Sequence, residues 1–313
     1  MNIGLDVLGG DFAPLAAVKG AILAAKELPE HVKIVLIGNE PETKQLLNEL
    51  GADTSRFEYV HTTEIIEMGE HPTRALTQKP KSSIGLGFSL LKNKEINAFA
   101  SAGNSGAMMV GAMFNVKTIP GVIRPTIATE LPKFDGGTGI LLDVGLNADV
   151  KPDVLYQFGV IGSLYAQSYL GITNPKVGLM SLGEEAEKGN VITQAAHVLF
   201  KDSTHFNFIG NVEGRDCFNN KADVIACDGY TGNVLLKQAE SFYRMIKKRG
   251  ITDQYFERFN YELYGGTPIL GVNATVIVGH GISNDIATKN MILQAKRMED
   301  SNVIELIRTS FNS

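Results

Sequence analysis

One pattern recurs along the 313-residue chain and limits its fold more than any other feature. A short apolar run ends, a loop of glycine with Asn, Asp, Ser or His follows, and a helical pattern then begins. The loops are 6–11, 101–106, 143–147, 183–185, 228–233 and 279–283. Strands that alternate with helices are typical of a parallel or mostly parallel α/β sheet, and ligands of such sheets bind beyond the carboxyl ends of the strands. Any single loop is explained as a tight turn, but the six together predict one convergent polar site.

The apolar periodicity predicts the individual elements. Strands are expected at 3–7, 32–37, 57–60, 98–101, 139–143, 177–181, 222–227 and 276–278. Helices are expected after Pro14, from Pro41 to Leu50, near 105–116, around the apolar face of Val154 to Tyr165, and twice after Asp285. The sequence shows no internal repeat and no low-complexity linker. We therefore expect residues 1–313 to form a single catalytic unit of two lobes, with the Pro- and Gly-rich segment 117–138 as a possible crossing point.

Composition excludes several classes of protein. The formal net charge is −5, which disfavours bulk nucleic-acid binding because that function shows as a basic patch or stripe. The two cysteines, Cys217 and Cys227, form no Cys-x-x-Cys pair, so a disulfide framework is not expected and a reducing compartment fits. The uncharged stretch 96–116 has the length of a membrane span, but Ser101, Asn104 and their glycine neighbours interrupt it. No leader peptide is expected, and the predicted location is the cytoplasm.

The usual nucleotide and hydrolase signatures do not occur in the sequence. It has no Gly-x-x-x-x-Gly-Lys-Ser/Thr, and Gly85-Leu86-Gly87 lacks a third glycine at the right place. Ala107 replaces the last glycine of the nearest match to a Gly-x-Ser-x-Gly elbow, and no His-Glu-x-x-His occurs. ATP, NAD, a serine nucleophile and zinc are each disfavoured, so neither a cofactor nor a metal is expected.

Several residues in the loops are candidates for anion binding and catalysis. Lys79 and Lys81 precede Ser82 and Ser83 at the start of a helical run, where free N–H groups and the helix dipole favour an anion. His280 is the one histidine between two glycines at a strand end, and it is interpreted as either catalytic or structural. Asp228 is interpreted as either a helix cap or a catalytic group. Asn104 and Asn233 are interpreted as either turn residues or donors to an oxyanion.

The segment 242–264 combines cations with aromatic residues. Tyr255, Phe256 and Phe259 have the spacing of one helical face. One interpretation is a pair of core-facing helices. The other is a mobile docking surface for an acidic partner protein or a membrane, with a basic cluster formed by Arg244, Lys247, Lys248 and Arg249.

Taken together, the motifs resemble those of the bacterial phosphate acyltransferases of phospholipid synthesis. The matching strings cover nearly the whole chain in order. They are LDVLGGDFAP, KPKSSIG, SAGNSGA, RPTIA, LLDVGLNAD, GEEAEKGN, GNVEGRD, CDGYTGNVLLK, GGTPILG and GHGIS. The sequence departs from the family pattern at Leu8, Phe12, Ser105 and Leu146, and at Thr77, where the family often has Arg.

The resemblance implies a fold and a reaction. The implied fold is an α/β/α sandwich of the isocitrate/isopropylmalate dehydrogenase type, shared with phosphotransacetylases, with two lobes and the active site between them. The implied reaction transfers a fatty acyl group from acyl carrier protein to inorganic phosphate, and a membrane acyltransferase then uses the acyl phosphate to acylate glycerol 3-phosphate. The resemblance alone implies a homodimer, and peripheral membrane contact is an added expectation.

Given that reaction, the candidate residues receive roles. Phosphate can attack the thioester directly, so the enzyme must position a dianion and stabilise an oxyanion. Asn104 or Asn233 is expected to donate to the oxyanion, and His280 to handle the phosphate proton, with Asp228 as a further catalytic candidate. The phosphate-binding residues are expected to be Lys79, Ser82, Ser83, Gly103 and Lys188. The alternatives are a short-chain phosphotransacetylase that uses acyl-coenzyme A, and an oxidoreductase or binding module on the same fold.

Overall fold

The computed structural model describes residues 1–312 of the chain. The strands of this part are β1 (Asn2–Asp6), β2 (Lys33–Gly38), β3 (Phe57–His61), β4 (Ala98–Ser101), β5 (Thr126–Pro132), β6 (Thr138–Leu142), β7 (Lys176–Met180), β8 (Asn207–Val212), β9 (Val224–Ala226), β10 (Gly266–Leu270) and β11 (Thr275–Gly279). The α-helices are α1 (Leu15–Glu27), α2 (Glu40–Glu49), α3 (Pro72–Gln78), α4 (Ser83–Lys92), α5 (Ser105–Gly111), α6 (Pro152–Tyr169), α7 (Val191–Lys201), α8 (Gly229–Lys248), α9 (Gln254–Glu257), α10 (Asp285–Ser301) and α11 (Val303–Asn312).

The chain divides into two compact units. Unit 1 contains residues 1–118 and 261–300, and unit 2 contains the described residues from 119 to 260 and from 301 onward. Each unit therefore combines segments that are distant in sequence. The chain first passes from unit 1 to unit 2 after Thr118, within the Pro- and Gly-rich segment 117–138.

Unit 1 is built on six strands in the order β3-β2-β1-β4-β11-β10. β1 pairs in parallel with β2 and β4, and β4 pairs in parallel with β11, whereas β10 is antiparallel to β11. Every residue of β4 and β11 is buried, on both faces of the sheet. Strands buried on both faces need helices on both sides, as in α/β proteins. The carboxyl ends of β1, β4 and β11 consequently lie side by side.

Unit 2 is built on five strands in the order β5-β6-β9-β7-β8. β6, β9, β7 and β8 are parallel neighbours, and β5 is antiparallel to β6. α6 lies directly on this sheet, because a Cβ added at Gly162 would be 2.5 Å from a methyl of Val224. The close approach lets Phe158, Ile161 and Tyr165 of α6 be almost completely buried.

α8 packs differently from the other long helices. It runs for 20 residues and ends in cations, yet its only buried residues are Gly229 and Gly232 in the first turn. Phe242 and Met245 in its second half are about half exposed. An apolar face on this helix therefore remains in contact with solvent.

The α/β fold class and the predicted strands are confirmed, with boundaries that shift by one or two residues. Sequence reasoning did not find β5, β8, β10 or α3. The uncharged stretch divides into β4, a polar loop and α5, followed by a π-helical segment, as the interruption by polar residues predicts. No helix among residues 1–312 is long and apolar enough to cross a membrane.

Candidate functional site

Three glycine loops of unit 1 meet at the carboxyl ends of β1, β4 and β11. The Asp11 N–H donates to the carbonyl of Gly281 at 2.7 Å, which joins the loops after β1 and β11. A Cβ added at Gly9 would lie 2.7 Å from the backbone nitrogen of Gly103, so the loops after β1 and β4 also touch. Such close backbone packing requires glycine. Three of the six loops that were expected to converge therefore meet within unit 1, and the other three belong to unit 2.

A buried carboxylate lies beneath these loops. Asp6, 2% exposed, accepts hydrogen bonds from the Ser101 hydroxyl at 2.7 Å and from the N–H groups of Leu8 at 2.9 Å and Gly9 at 3.1 Å. Ser101 in turn accepts the Gly103 N–H at 3.0 Å. Burial raises the pKa of Asp6 above the usual aspartate value, and the hydrogen bond from Ser101 opposes this rise. The carboxylate fixes the course of two loops at once.

Asn104 caps α5 and holds a second segment in place. Its Oδ1 accepts the Ala107 N–H at 2.9 Å. Its Nδ2 donates to the carbonyls of Glu67 at 3.0 Å, Met68 at 3.2 Å and Glu70 at 3.0 Å. We call residues 62–71 the strap. Both ends of the Asn104 amide are therefore engaged within unit 1.

Three of the residues expected to bind phosphate, Lys79, Ser82 and Ser83, lie at the start of α4. The Lys79 ammonium contacts Glu70 of the strap at 2.7 Å and the Ile65 carbonyl at 2.9 Å, and this lysine lowers the pKa of Glu70. Ser82 is buried, accepts the Gly85 N–H at 3.1 Å and caps the helix. Ser83 is also buried, and its hydroxyl has no hydrogen-bond partner among residues 1–312. Lys79, Ser82, Ser83 and Gly103 thus lie around one group of loops in unit 1.

His280 follows β11 at the same end of the sheet. Its ring packs edge-on against Tyr261, with ring centroids 5.1 Å apart. The Tyr261 hydroxyl donates to the Ile282 carbonyl at 3.0 Å, which fixes the tyrosine against the same loop. His280 is half-buried, and its own carbonyl accepts the Ser283 N–H at 2.9 Å. The histidine is held in a defined place beside the glycine loops.

Unit 2 has a matching buried carboxylate after β6. Asp143 accepts the N–H groups of Ile127 at 3.1 Å, Leu146 at 3.2 Å and Asn147 at 2.6 Å, and also the Asn147 side-chain amide at 2.8 Å. Burial raises the pKa of Asp143, and these donors oppose the rise. Like Asp6, this aspartate joins its own loop to a neighbouring segment.

The loop after β9 contacts the loop after β6. Asp228 caps α8 by accepting the Thr231 N–H and hydroxyl, both at 2.8 Å. The Gly229 N–H donates to the Asn147 carbonyl at 2.7 Å, and Asn233 Nδ2 donates to the Val144 carbonyl at 3.2 Å. Gly229 and Asn233 therefore form the junction of these loops, and Asp228 caps the helix that begins there.

A cavity of about 350 Å³ opens beside this junction in unit 2. Asn190 at the start of α7 and Asp228 at the start of α8 both line it, so two helix N-termini face one space. Thr193, Tyr230 and Thr231 add further polar groups to its wall. Lys188 is exposed on the preceding loop and is not among the residues that line the cavity.

The basic cluster lies at the end of α8. Lys247 pairs with Glu257 at 2.7 Å, and Arg244 lies 4.0 Å from Glu240. Lys248 and Arg249 are exposed, and no ion pair involves them within residues 1–312. They are the cations of this cluster that remain available to a partner.

Sequence reasoning missed Asp6, Ser101, Asp143 and Asn147. A signal for the two aspartates exists in the sequence, because Leu-Asp-Val occurs at 5–7 and again at 142–144, each time at the end of a strand. Both aspartates then accept N–H groups of the loop that follows. The repeated motif therefore indicates that each unit uses a buried aspartate to order the loop that follows a strand.

Comparison with known proteins agrees with the motifs. The sequence matches the family described as "Fatty acid synthesis protein" over residues 1–253 and 248–306. A phosphate acyltransferase from Halothermothrix orenii is 41% identical, with 100% of this chain and 99% of the relative covered. A phosphate acyltransferase from Pelotomaculum thermopropionicum is 42% identical, with 100% and 96% covered.

Solved structures show a similar fold. A phosphotransacetylase from Streptococcus pyogenes aligns with a TM-score of 0.64 at 16% identity, and the alignment covers 96% of this chain and 94% of that one. The EutD phosphotransacetylase from Staphylococcus aureus gives a TM-score of 0.61 at 17% identity, with 95% and 94% covered. At such identities the likeness extends to the fold alone.

Proposed function

The chain belongs to the phosphate acyltransferase family, and we propose that it transfers a fatty acyl group from acyl carrier protein to inorganic phosphate. The observation that carries this proposal is the identity of about 40% to phosphate acyltransferases over the full length of both chains. The family description, a fatty acid synthesis protein, supports a fatty acyl substrate over a short one. The product is an acyl phosphate that a membrane acyltransferase uses for phospholipid synthesis.

The reaction proceeds by direct attack of phosphate. A phosphate oxygen bonds to the thioester carbonyl carbon, the C–S bond breaks, and the thiolate leaves and takes up a proton. A free thiol has a pKa of about 8.5, so it departs without a strong acid. The two cysteines are poor alternatives as nucleophiles, because burial raises the pKa of Cys217 to about 11 and that of Cys227 well above its usual value.

Phosphate is held in unit 1 by the loops after β1 and β4 and by the start of α4. Lys79 supplies the cation there, and it exchanges its bond to Glu70 for one to phosphate. His280, at the end of β11, takes the proton that phosphate loses on attack. The support for these roles is the position of His280 and of the loops after β1 and β4 at the carboxyl ends of adjacent parallel strands, where α/β proteins bind ligands. Lys79 lies between α3 and α4 and contacts Glu70 of the strap, whose carbonyl accepts a hydrogen bond from Asn104 in the loop after β4.

The oxyanion donors are Asn104 in unit 1 and Asn233 in unit 2, as alternatives. Each amide already donates to backbone carbonyls, so donation to the substrate requires one of those bonds to be exchanged. Asn233 makes one such bond at 3.2 Å and Asn104 makes three. The three bonds of Asn104 hold the strap, so donation from Asn104 to the substrate would release part of that segment.

The partners follow from the substrate. The acidic carrier protein meets the exposed cations Lys248 and Arg249 at the end of α8. Contact of the same end of α8 with the inner face of the membrane would deliver the acyl phosphate where it is consumed. We further propose that the protein forms a homodimer and that it is located in the cytoplasm. The unpaired thiols of Cys217 and Cys227 fit that location, because the cytoplasm keeps thiols reduced.

The test is a direct assay with the purified full chain. Palmitoyl-carrier protein and phosphate should give acyl phosphate, detected as a hydroxamate after reaction with hydroxylamine, and mass spectrometry during turnover should detect no acylated protein. Activity that is restricted to acetyl-coenzyme A would instead identify a short-chain phosphotransacetylase. An acylated side chain on the reaction path would refute the direct attack of phosphate.

A further inference from the structure

Unit 2 contains an apolar groove of about 240 Å³, and no residue of the glycine loops lines it. The second half of α8 forms one wall with Ala239, Phe242 and Ile246. Aromatic residues that include Phe218, Tyr255 and Phe259 form the other. All of these residues belong to unit 2.

The groove offers no free hydrogen-bonding group to an occupant. Its two tyrosines point their hydroxyls elsewhere: Tyr243 donates to Glu257 at 3.0 Å, and Tyr255 donates to the Pro132 carbonyl at 3.2 Å. The other lining side chains are hydrocarbon, so carbon atoms alone face the space. A polar ligand would lose its hydrogen bonds to water here without replacement, whereas an apolar one would not.

Contacts among the aromatic rings hold the side chains of the second wall of the groove in place. Tyr255 stacks on Phe134 with centroids 4.9 Å apart and packs edge-on against Phe259 at 5.5 Å, and Phe259 packs edge-on against Phe218 at 5.2 Å. Burial of apolar surface against such a wall is favourable, at roughly 25 cal/mol per Å² removed from water. A groove lined by carbon atoms and fixed by ring contacts can therefore bind hydrocarbon.

α8 connects the groove to the loop junction of unit 2. The helix begins at Asp228, and Ala239 lies about 16 Å further along its axis. A single acyl chain spans about 15 Å, half of the hydrocarbon core of a bilayer. Tyr230 and Val234, 70% and 50% exposed, present apolar surface on the helix between the two places.

We propose that the groove binds the distal part of the fatty acyl chain of the substrate, so that it is a chain-length determinant. The proposal rests on the proposed function, since a fatty acyl thioester is the apolar ligand of that reaction. Charge complementarity supports the same occupant. Lys248 and Arg249 follow the groove on the same helix and would attract the acidic protein that carries the acyl chain.

A fluorescent reporter tests the occupant directly. The chain contains no tryptophan, so Phe242→Trp places a single indole in the groove. Palmitoyl-carrier protein with a nitroxide near the end of its acyl chain should quench this emission at least twofold and saturably, and the butyryl donor should leave it unchanged. Phe114→Trp, an exposed position in unit 1 that is 67% accessible, is the matched control and should not respond.

A steric variant tests the consequence for catalysis. Ala239→Phe fills the groove and should raise KM for the palmitoyl donor about tenfold or more, because roughly two methylenes lose their apolar contacts. KM for the butyryl donor should stay at the wild-type value. Gln238→Phe adds the same ring at the neighbouring exposed position outside the groove and serves as the control.

The alternative occupants give different results. Emission from Phe242→Trp that depends on protein concentration and ignores the acyl donor would assign the groove to a second copy of the chain. A response to phosphatidylglycerol vesicles alone would assign it to a bilayer. Either result overturns the proposal, as does an equal change of KM for both donors in Ala239→Phe. Failure of the wild-type chain to form acyl phosphate from either donor would refute the proposed function instead.

Discussion

The Ser101 hydroxyl lies 2.7 Å from Oδ2 of Asp6 and donates to it, across 95 residues of sequence. The same hydroxyl accepts the Gly103 N–H, so the carboxylate of β1 and the loop after β4 form one hydrogen-bonded chain. No ion pair within residues 1–312 involves this carboxylate, and burial raises its pKa. Asp6 therefore orders the loops at the cost of an unfavourable burial of charge.

This burial predicts a pH dependence of stability. A folded-state pKa above the unfolded value of about 3.9 means that the native protein binds more protons than the unfolded chain between those two values. The contribution of Asp6 to the free energy of unfolding is thus largest below the unfolded pKa and declines as pH rises through the raised one. Asp6→Asn cannot ionise and should lack this decline.

The measurement is urea unfolding of both proteins from pH 3 to pH 8. The free energy of unfolding of Asp6→Asn minus that of the wild type should shift in favour of the variant as pH rises. Asp53→Asn is the control, because this exposed aspartate caps a short turn and its pKa is lowered, so its difference should shift in the opposite sense. If the difference in the free energy of unfolding between Asp6→Asn and the wild type does not depend on pH, the pKa of Asp6 is not raised in the folded protein.

Asn104 can be divided into its two functions by a pair of substitutions. Asn104→Asp keeps an oxygen to accept the Ala107 N–H but removes the donor to the strap, whereas Asn104→Ala removes both. We expect Asn104→Asp to speed hydrogen exchange of the amides in residues 64–70 while α5 stays protected. Asn104→Ala should also weaken α5, with about 1 kcal/mol lost from the cap. Unchanged exchange in the strap of Asn104→Asp would mean that these three hydrogen bonds do not hold it.

The sequence identified the loops more readily than their internal contacts. β1, β4 and β11 are buried apolar runs, so their positions and the glycine loops after them could be predicted. β10 contains Gly266 and Pro268, and β8 contains Gly210, which are unfavourable inside strands and hide the pattern. β8 depends on pairing with β7, whereas β10 pairs with β11, the next strand along the chain.

The contacts of the candidate residues could not be predicted, because they join residues that are separated in sequence. Asn104 meets carbonyls 34 to 37 residues away, and Lys79 meets Glu70 of the strap. A sequence pattern shows that an amide or an ammonium follows a strand or precedes a helix. It does not show which carbonyl or carboxylate the fold brings to it.

His280 is expected to carry the proton that phosphate loses. His280→Ala should lower turnover by about 100-fold or more, the lower range for a general acid or base, with the free energy of unfolding nearly unchanged. His31→Ala, at an exposed position remote from the loops in sequence, is the matched control. Near-normal turnover in a folded His280→Ala protein would assign the histidine a structural role instead of a catalytic one.

Lys79 and Glu70 allow phosphate binding to be distinguished from loop anchoring. Lys79→Ala should lower turnover by about 100-fold and raise KM for phosphate, because the site loses its cation. Glu70→Gln keeps the ammonium and frees it from the ion pair, so KM for phosphate should stay level or fall. If Glu70→Gln is as damaging as Lys79→Ala, the ion pair itself matters and Lys79 serves to hold the strap.

The cations at the end of α8 are expected to attract the carrier protein. Lys248 and Arg249 have no ion pair in the described part of the chain, so replacing both with Glu reverses the local charge and leaves the Lys247–Glu257 contact in place. KM for the acyl-carrier protein should rise, and the effect should diminish at high salt, because surface charges are screened over about 10 Å at 0.1 M. Sedimentation with anionic liposomes should weaken as well, at about 1 kcal/mol per cation.

Including Lys247→Glu would additionally place two carboxylates side by side at Glu257, so the triple variant should also lose stability, whereas the double variant should not. KM for phosphate is the internal control and should not change. Wild-type values for both the carrier-protein KM and the sedimentation of the double variant would show that this end of α8 is not a docking surface.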